Sequence, residues 1–202
     1  MNQKERMLSG LPYKAWLDGL TEERNACKQK IYEYNMLPPA QYQKRTELLK
    51  DLLGKTGEEI HIEAPFHCDY GWNIEVGENF YANYNLTVLD VGKVTIGKNA
   101  QIAPNVSIYT AGHPVHPDSR NSGYEYGIPI TIGDNVWIGG NTVILPGVTI
   151  GNNVVIGAGS VVAKDLPDNV IAVGNPCRVI RKITEDDRKY YYKDREFDVE
   201  DY

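Results

Sequence analysis

Two histidines stand three residues apart in the stretch Tyr109-Thr-Ala-Gly-His113-Pro-Val-His116-Pro-Asp-Ser-Arg120. Imidazole titrates close to neutral pH, so a histidine can take the proton of a hydroxyl as that hydroxyl attacks an acyl group. His113 lies between Gly112 and Pro114, which fix the local backbone and leave the ring room. The pattern leaves two readings of His113 open: a general base, or a histidine on a wet surface loop. His116 reads as exposed. Asp118, Arg120, Tyr124 and Glu125 follow in the same stretch. That is more reactive and recognition chemistry than a neutral spacer needs.

What must position this stretch is a repeat on either side of it. An aliphatic residue recurs at Ile132, Ile138, Ile144, Ile150, Ile156 and Val162. Glycine follows it at 133, 139, 151 and 157, and a small or β-branched residue sits four places on, at Val136, Thr142, Val148, Val154 and Ser160. The frame continues upstream at Ile96, Ile102 and Ile108, while Val76, Ala82, Val88 and Val94 keep the period in a shifted phase. A period of six matches neither a helix nor a simple alternating strand; it matches a hexapeptide β-helix. Three hexads make one triangular coil, and the aliphatic residue points inward onto its equivalent in the next coil. The corners Gly133-Asp134-Asn135 and Gly151-Asn152-Asn153 tolerate left-handed backbone. Residues 109–129 have no hexad pattern and are punctuated by Gly112, Pro114, Pro117, Gly123, Gly127 and Pro129. They read as a loop excursion, and a long loop in a compact repeat is usually functional or disordered.

The expected organisation is a helical segment over 1–56, the β-helix over 57–183 and a charged, Tyr-rich tail over 184–202, to which no chemistry is assigned. Thr21-Glu-Glu-Arg24 opens one helix, with Leu20 as a hydrophobic staple before the cap. Its apolar face carries Ala26, Ile31 and Tyr32. Pro38-Pro39 stops it, and a second helix runs from Tyr42 to Leu53, ending near Gly54. Such helices would cover an open β-helix end, which otherwise exposes strand edges.

With 42% hydrophobic residues in 202, the chain can build a packed core. The net charge of −6 argues against nucleic-acid binding by bulk charge, although Arg178-Val-Ile-Arg181-Lys182 is locally basic. No apolar run approaches the roughly 18 residues that span a bilayer, and the N-terminus lacks the apolar stretch of a signal peptide. Cys27, Cys68 and Cys177 are widely spaced and odd in number, which reads as reduced thiols in a cytoplasmic protein.

The hexads, the loop TAGHPVHPDSRNSGYEYGIPITIG, the C-terminal GNPCRVIRKI, the start LPYKAWLDGL and the stretch FHCDYGWNIEVGENFYANYNLTVLD resemble the galactoside and maltose O-acetyltransferases of the hexapeptide-repeat acyltransferases. The resemblance runs through nearly the whole chain. It implies a left-handed parallel β-helix and a homotrimer with active sites between neighbouring subunits. It implies direct acetyl transfer from acetyl-CoA to a sugar hydroxyl, with no metal. His113 matches the catalytic histidine and would be the general base. Glu125 matches a glutamate of the maltose-type members that can orient it. Asp69, Tyr70, Asn83 and Asp90 match acceptor-contacting stretches. Trp137, Gly140, Ala158, Ala163, Lys164, Arg178 and Arg181 match the cofactor groove, where the three cations can meet phosphates. The galactoside enzymes carry an acceptor-contacting aspartate where this chain has Ala15, with Asp18 nearby. They also carry a serine at the position of Asp69 and a second aspartate at that of Val91.

Acyl transfer needs proton removal, oxyanion stabilisation and alignment. A backbone N–H near Gly139-Gly140 is the expected oxyanion donor, because glycine allows close approach. Trp137 can instead pack between subunits, Asp69 and Asp90 can instead bind backbone amides at corners, and Arg178 and Arg181 can instead pair with the acidic tail. A zinc hydratase on the same fold is disfavoured, since the repeat itself offers no histidine ligands. A non-catalytic β-helix scaffold, or an acetyltransferase with a non-sugar or amino-sugar acceptor, remains as an alternative.

Overall fold

The computed structural model describes residues 1–199 and 201. Its centre is a three-sided parallel β-helix. The first coil consists of β1 (Ile60–Ile62), β2 (Phe66–Cys68) and β3 (Ile74–Val76), and the second of β4 (Phe80–Ala82), β5 (Leu86–Leu89) and β6 (Val94–Ile96). In the third coil, β7 (Gln101–Ile102) and β8 (Ser107–Tyr109) are followed by the excursion, which contains β9 (Ala111–Gly112), α4 (Pro117–Asn121) and β10 (Tyr126–Gly127), and then by β11 (Ile130–Ile132). The fourth coil is β12 (Trp137–Ile138), β13 (Val143–Ile144) and β14 (Thr149–Ile150). The fifth begins with β15 (Val155–Ile156) and β16 (Val161–Val162). Strand β17 (Val170–Val173) then closes the stack, and β18 (Arg178–Lys182) runs back against it.

The strands stack into three faces. Face one holds β1, β4, β7, β12, β15 and β17; face two holds β2, β5, β8, β13 and β16; face three holds β3, β6, β11 and β14. The inward ladder predicted from the period is buried throughout, with Ile132, Ile138, Ile144, Ile150, Ile156 and Val162 all at 1% exposure or less. Each coil alone exposes its ends, so this continuous column supplies most of the hydrophobic driving force.

The shifted phase upstream has a simple cause. Val76 pairs with Ile96, Ala82 with Ile102 and Val88 with Ile108, twenty positions apart. In the later coils Ile132 pairs with Ile150 and Ile138 with Ile156, eighteen apart. The first two coils carry a wider corner between faces two and three, at Asp69–Asn73 and at Asp90–Lys93. Val94 therefore opens a strand opposite Ile130, and Ile96, not Val94, is the frame-mate of Val76.

The corner glycines and asparagines divide the work differently from the sequence expectation. At the corner between faces three and one the left-handed residues are Asn79, Asn99, Asn135, Asn153 and Asn169, with φ between 55° and 59°. Their amides form a ladder from coil to coil, Asn79 to Asn99, Asn135, Asn153 and Asn169, at 2.8–3.0 Å. Gly133 is needed for closeness: a Cβ there would lie 2.6 Å from Asn152 Oδ1 and 2.8 Å from the Gly151 carbonyl carbon. The hydroxyls of buried Thr142 and Ser160 donate back to the carbonyls of Gly139 and Gly157.

Three helices precede the coils: α1 (Gln3–Leu8), α2 (Leu20–Asn35) and α3 (Tyr42–Leu52). α1 is capped by Asn2 in a reciprocal capping box with Glu5. Leu20 is not a staple ahead of α2 but its first residue, and the cap is Gly19 at φ 83°, with no side-chain hydrogen bond. The packed face of α2 is Cys27, Ile31 and Tyr34; Tyr32 and Ala26 point to solvent. With Leu49, Leu52 and Leu53 these residues close the open end of the column over Ile60, Ile62 and Phe66. Cys27 and Cys68 meet here as buried thiols, with sulfurs 3.7 Å apart. The tail carries a short 3-10 turn at Glu185–Arg188 and a hairpin of β19 (Tyr190–Tyr192) with β20 (Arg195–Glu196). Among the described residues no helix is long and apolar enough to cross a membrane.

Candidate active site

The excursion leaves the third coil at the corner between faces two and three. Its base is tied to the coil beneath it by Thr110, whose hydroxyl donates to Leu89 O and accepts from Gly92 N–H. β9 and β10 pair antiparallel, Gly112 opposite Tyr126, so His113 and Glu125 extend side by side at the same end of a short ribbon, one from each strand. The ring of Tyr126 lies so close over Gly112 that a Cβ there would fall 2.5 Å from its Cζ, which is why glycine precedes the histidine. Arg120 braces the turn beyond by donating to the carbonyls of Pro114 and Val115. His116 caps α4, its Nδ1 accepting from Asp118 N–H at 3.3 Å, and its side chain is otherwise exposed.

His113 is open to solvent, and its Nε2 lies 3.9 Å from Glu125 Oε2. That is too long for a hydrogen bond, but it sets the carboxylate beside the imidazole ring. The other carboxylate oxygen, Oε1, accepts from Tyr13 OH at 2.5 Å. The Tyr13 and Glu125 backbones also exchange both hydrogen bonds, at 2.9 and 3.0 Å. The N-terminal segment thus forms one wall of the site. Trp16 lies over Gly123, and Lys14 sits 5.1 Å from the ring centre of Tyr124. Nothing in the local sequence signals Tyr13: its partner is 112 residues away.

The acceptor-side residues separate into two groups. Asp69 and Asp90 lie at the same corner as the excursion, one coil below another. Asp69 is half-buried, and burial pushes its carboxyl above the usual range while Arg24 pulls it down. It borders a groove of about 450 Å³ between α2 and face two, lined also by Lys28, Tyr32, Asn35, His67 and Leu89. Asp90 and Tyr70, expected as acceptor contacts, are covered. Asp90 has no exposed surface, and its Oδ1 accepts the backbone N–H groups of Asp69 and Tyr70 at 2.8 and 2.9 Å. Burial raises its pKa to about 6. Tyr70 is 2% exposed and its hydroxyl accepts from Arg24 Nη1. Both support the corner from within. Asn83 lies elsewhere, at the corner between faces one and two, with its side-chain oxygen accepting the N–H of Tyr84.

The cofactor-side residues divide in the same way. Gly140 and Ala158 lie at the corner between faces one and two, and Trp137 projects from face one at 54% exposure. Ala163 and Lys164 lie, exposed, at the corner that carries the excursion. Within one chain the width of face two separates His113 from Asn83, Gly140 and Ala158. The N–H of Gly139 is donated to Ile156 O, which removes it as an oxyanion donor. Arg178 donates to Cys177 O, and Arg181 is held in a two-pronged ion pair by Asp187 of the tail at 2.6 and 2.7 Å. Asp18, beside Ala15, accepts the N–H of Gln3 at 2.7 Å and so serves α1, while Ala15 packs against the small cluster of Met7, Tyr13, Leu20, Tyr70 and Val91. Among the described residues no three His, Cys, Asp or Glu side chains gather as a metal site would require.

A three-faced coil of hexads with a histidine-bearing excursion and a helical end cap defines a hexapeptide-repeat acyltransferase. Two family descriptions match: the maltose acetyltransferase hexapeptide capping motif over residues 6–57, and the bacterial transferase hexapeptide over residues 129–164. The chain is 50% identical to the galactoside O-acetyltransferase of Escherichia coli K12 over 194 residues, 96% of each chain. A maltose O-acetyltransferase structure from Clostridium difficile 630 is 56% identical and superposes with a TM-score of 0.91, covering 92% of this chain and 99% of that one. A galactoside acetyltransferase solved with coenzyme A is 49% identical with a TM-score of 0.95, covering 98% of this chain and all of the other. The chain belongs to the galactoside and maltose O-acetyltransferase family.

Proposed function

We propose that the chain moves the acetyl group of acetyl-CoA onto a hydroxyl of a sugar, of the maltose, glucose or galactoside type, with His113 as general base. The observation that carries this reading is that His113 and Glu125 stand side by side on an excursion at the same corner as the half-buried carboxylate of Asp69, which feels the Glu125 charge. The acceptor oxygen attacks the thioester carbon as its proton passes to His113. The carbon–sulfur bond then breaks, and the imidazolium returns the proton to the CoA sulfur. Glu125 holds the imidazole in orientation through the two steps. Asp69, which can accept two hydrogen bonds, orients the acceptor hydroxyls. The N–H of Gly140 serves the oxyanion, and Trp137, Ala158, Ala163, Lys164 and Arg178 line the CoA path. Arg181 joins them on releasing Asp187.

This reading requires a homotrimer. His113 lies at one edge of face two, and Gly140, Ala158 and Asn83 at the other, so one chain completes no site. Face two points His67, Thr87, Ser107, Val143 and Val161 outward, a ladder without carboxylates, lysines or arginines. Three such faces turned toward a common axis bring the excursion edge of one copy to the glycine edge of the next. A cytoplasmic location suits both the reduced thiols and the acetyl-CoA supply.

The test is thiol release from acetyl-CoA with glucose, maltose, a galactoside, an amino sugar and serine as acceptors, for the wild type and His113→Ala. Base catalysis contributes roughly 10²–10⁴ in rate. Acceptor-dependent release with a sugar, lost by about that factor in His113→Ala, is expected. Wild-type turnover in the variant would remove His113 from the mechanism, and release only with serine or the amine would move the acceptor.

A further inference from the structure

We propose that Tyr13 is a positioning residue for acyl transfer: its hydroxyl fixes one oxygen of Glu125 so that the other faces His113. The inference rests on the reading of His113 and Glu125 given above, and adds to it a residue from the N-terminal segment.

The geometry is specific. Glu125 sits on an excursion and is 20% exposed at its side chain, so water competes for it. A carboxylate in that position has several rotamers, and only some present an oxygen to the imidazole. Tyr13 selects among them. Its ring has no exposed surface, and the packing of Met7, Leu20, Tyr70 and Val91 leaves it no freedom to follow a wandering glutamate. The two residues exchange both backbone hydrogen bonds, so the phenol starts from a point fixed relative to the glutamate Cα. One carboxylate oxygen is held at 2.5 Å, and the other then lies 3.9 Å from His113 Nε2.

The neighbouring charges are consistent with a positioning role. Arg24 faces Asp69, Tyr70 and Tyr13, with its Nη1 on the Tyr70 hydroxyl. Among the described residues Arg24 makes no hydrogen bond to Glu125, and the phenol is the side-chain donor to that carboxylate. Burial first, and the adjacent glutamate second, push the Tyr13 hydroxyl far up, which keeps it a donor. An ionised acceptor makes this a charge-assisted bond, shorter and stronger than a neutral one.

Tyr13→Phe keeps the ring and the backbone pairing and deletes the hydroxyl. The expected result is a kcat roughly 10- to 100-fold lower, as for other small losses of alignment, with KM for acetyl-CoA and for the sugar essentially unchanged. A residue acting through Glu125 must also be silent when Glu125 is gone. Glu125→Ala and Tyr13→Phe/Glu125→Ala are therefore expected to share one kcat. Glu125→Asp, which keeps the charge but cannot span from Tyr13 to His113, is expected to lose kcat as Tyr13→Phe does. It carries the test even if Tyr13→Phe folds poorly. Wild-type kcat in Tyr13→Phe or in Glu125→Asp would overturn the proposal. So would an equal further loss when Tyr13→Phe is added to Glu125→Ala, which would mark Tyr13 as structural. His113→Ala, measured alongside, separates the two levels: full turnover there sinks the base assignment, whereas an inactive His113→Ala beside an unimpaired Tyr13→Phe sinks only this one.

Discussion

Asp90 holds Asp69 by the backbone, accepting its N–H at 2.8 Å from one coil to the coil below. The Asp69 carboxylate, proposed above to meet the acceptor, is thus carried on a corner whose shape is set by a second, buried carboxylate. Asp90 takes the neighbouring N–H of Tyr70 with the same oxygen, and its other oxygen, Oδ2, has no hydrogen-bond partner among the described residues. A wide corner has more N–H groups than the stacked strands can satisfy, and Asp90 supplies the acceptor from within.

This arrangement carries a cost that depends on pH. Burial raises the Asp90 pKa from 3.8 to about 6, against two backbone N–H groups that lower it. A carboxyl whose folded pKa lies above its unfolded value binds more protons in the fold. Its contribution is fully present below about pH 4 and is lost as pH rises to about 6 and beyond. Asp90→Asn, which keeps the acceptor oxygen and cannot ionise, is therefore expected to be more stable than the wild type at pH 8. The gain should be on the order of 2–3 kcal/mol and should shrink steadily on going to pH 5. Urea melts of both proteins at the two pH values decide it. A variant less stable than the wild type at pH 8 would mean that the amide NH2, standing where Oδ2 was, is left without an acceptor and costs more than the buried charge it removes.

The asparagine ladder makes a second, independent prediction. Asn135 has φ 57°, donates to Asn153 and accepts from Asn99, both at 2.8 Å. Asn135→Ala loses both amide contacts and leaves a Cβ in the left-handed region without them to offset its cost of about 1–2 kcal/mol. Asn135→Gly loses the same contacts and leaves the backbone at ease. Glycine is expected to be the milder substitution by about 1 kcal/mol in thermal or denaturant melts, reversing the usual order of alanine over glycine. Equal stability of the two variants would show that the ladder, not the dihedral, selects asparagine there.

These two sites show where local sequence suffices and where it does not. The inward column is countable because a period of six needs only near neighbours: Ile132 to Val162 announce themselves. The phase shift near Val94 was visible, but its cause was not, since the length of the Asp90–Lys93 corner answers to the coils stacked on it. Asp90 and Asp69 are both aspartates at corners in the sequence; only the fold turns one inward and leaves the other half open. His113 could be singled out from its glycine and proline neighbours, because loop punctuation is local. Tyr13 could not, because its meaning lies in Glu125, 112 residues on. For Arg181 the sequence offered both a phosphate and the acidic tail, and the fold decides for Asp187 because β18 is followed by a tight turn.

The division of site residues between two edges predicts complementation between inactive chains. Asn83, Gly140 and Ala158 lie across face two from His113, with no path for one chain to fold the two edges together. His113→Ala removes the base at one edge. Ala158→Trp blocks the other: Ala158 is exposed at a corner, so the larger side chain fills the proposed CoA path without entering the core. If sites form between subunits, a trimer containing both variants has some sites built from two intact edges. For random one-to-one assembly that fraction is about one quarter of all sites, since each intact edge is present half the time. Mixing the two proteins, unfolding and refolding them together should restore about a quarter of wild-type turnover, while either alone, treated the same way, stays inactive. If each chain instead completes its own site, every chain in the mixture carries one lesion and no activity returns. The ratio of recovered to wild-type activity therefore reads the geometry of the assembly directly, without a structure of the trimer.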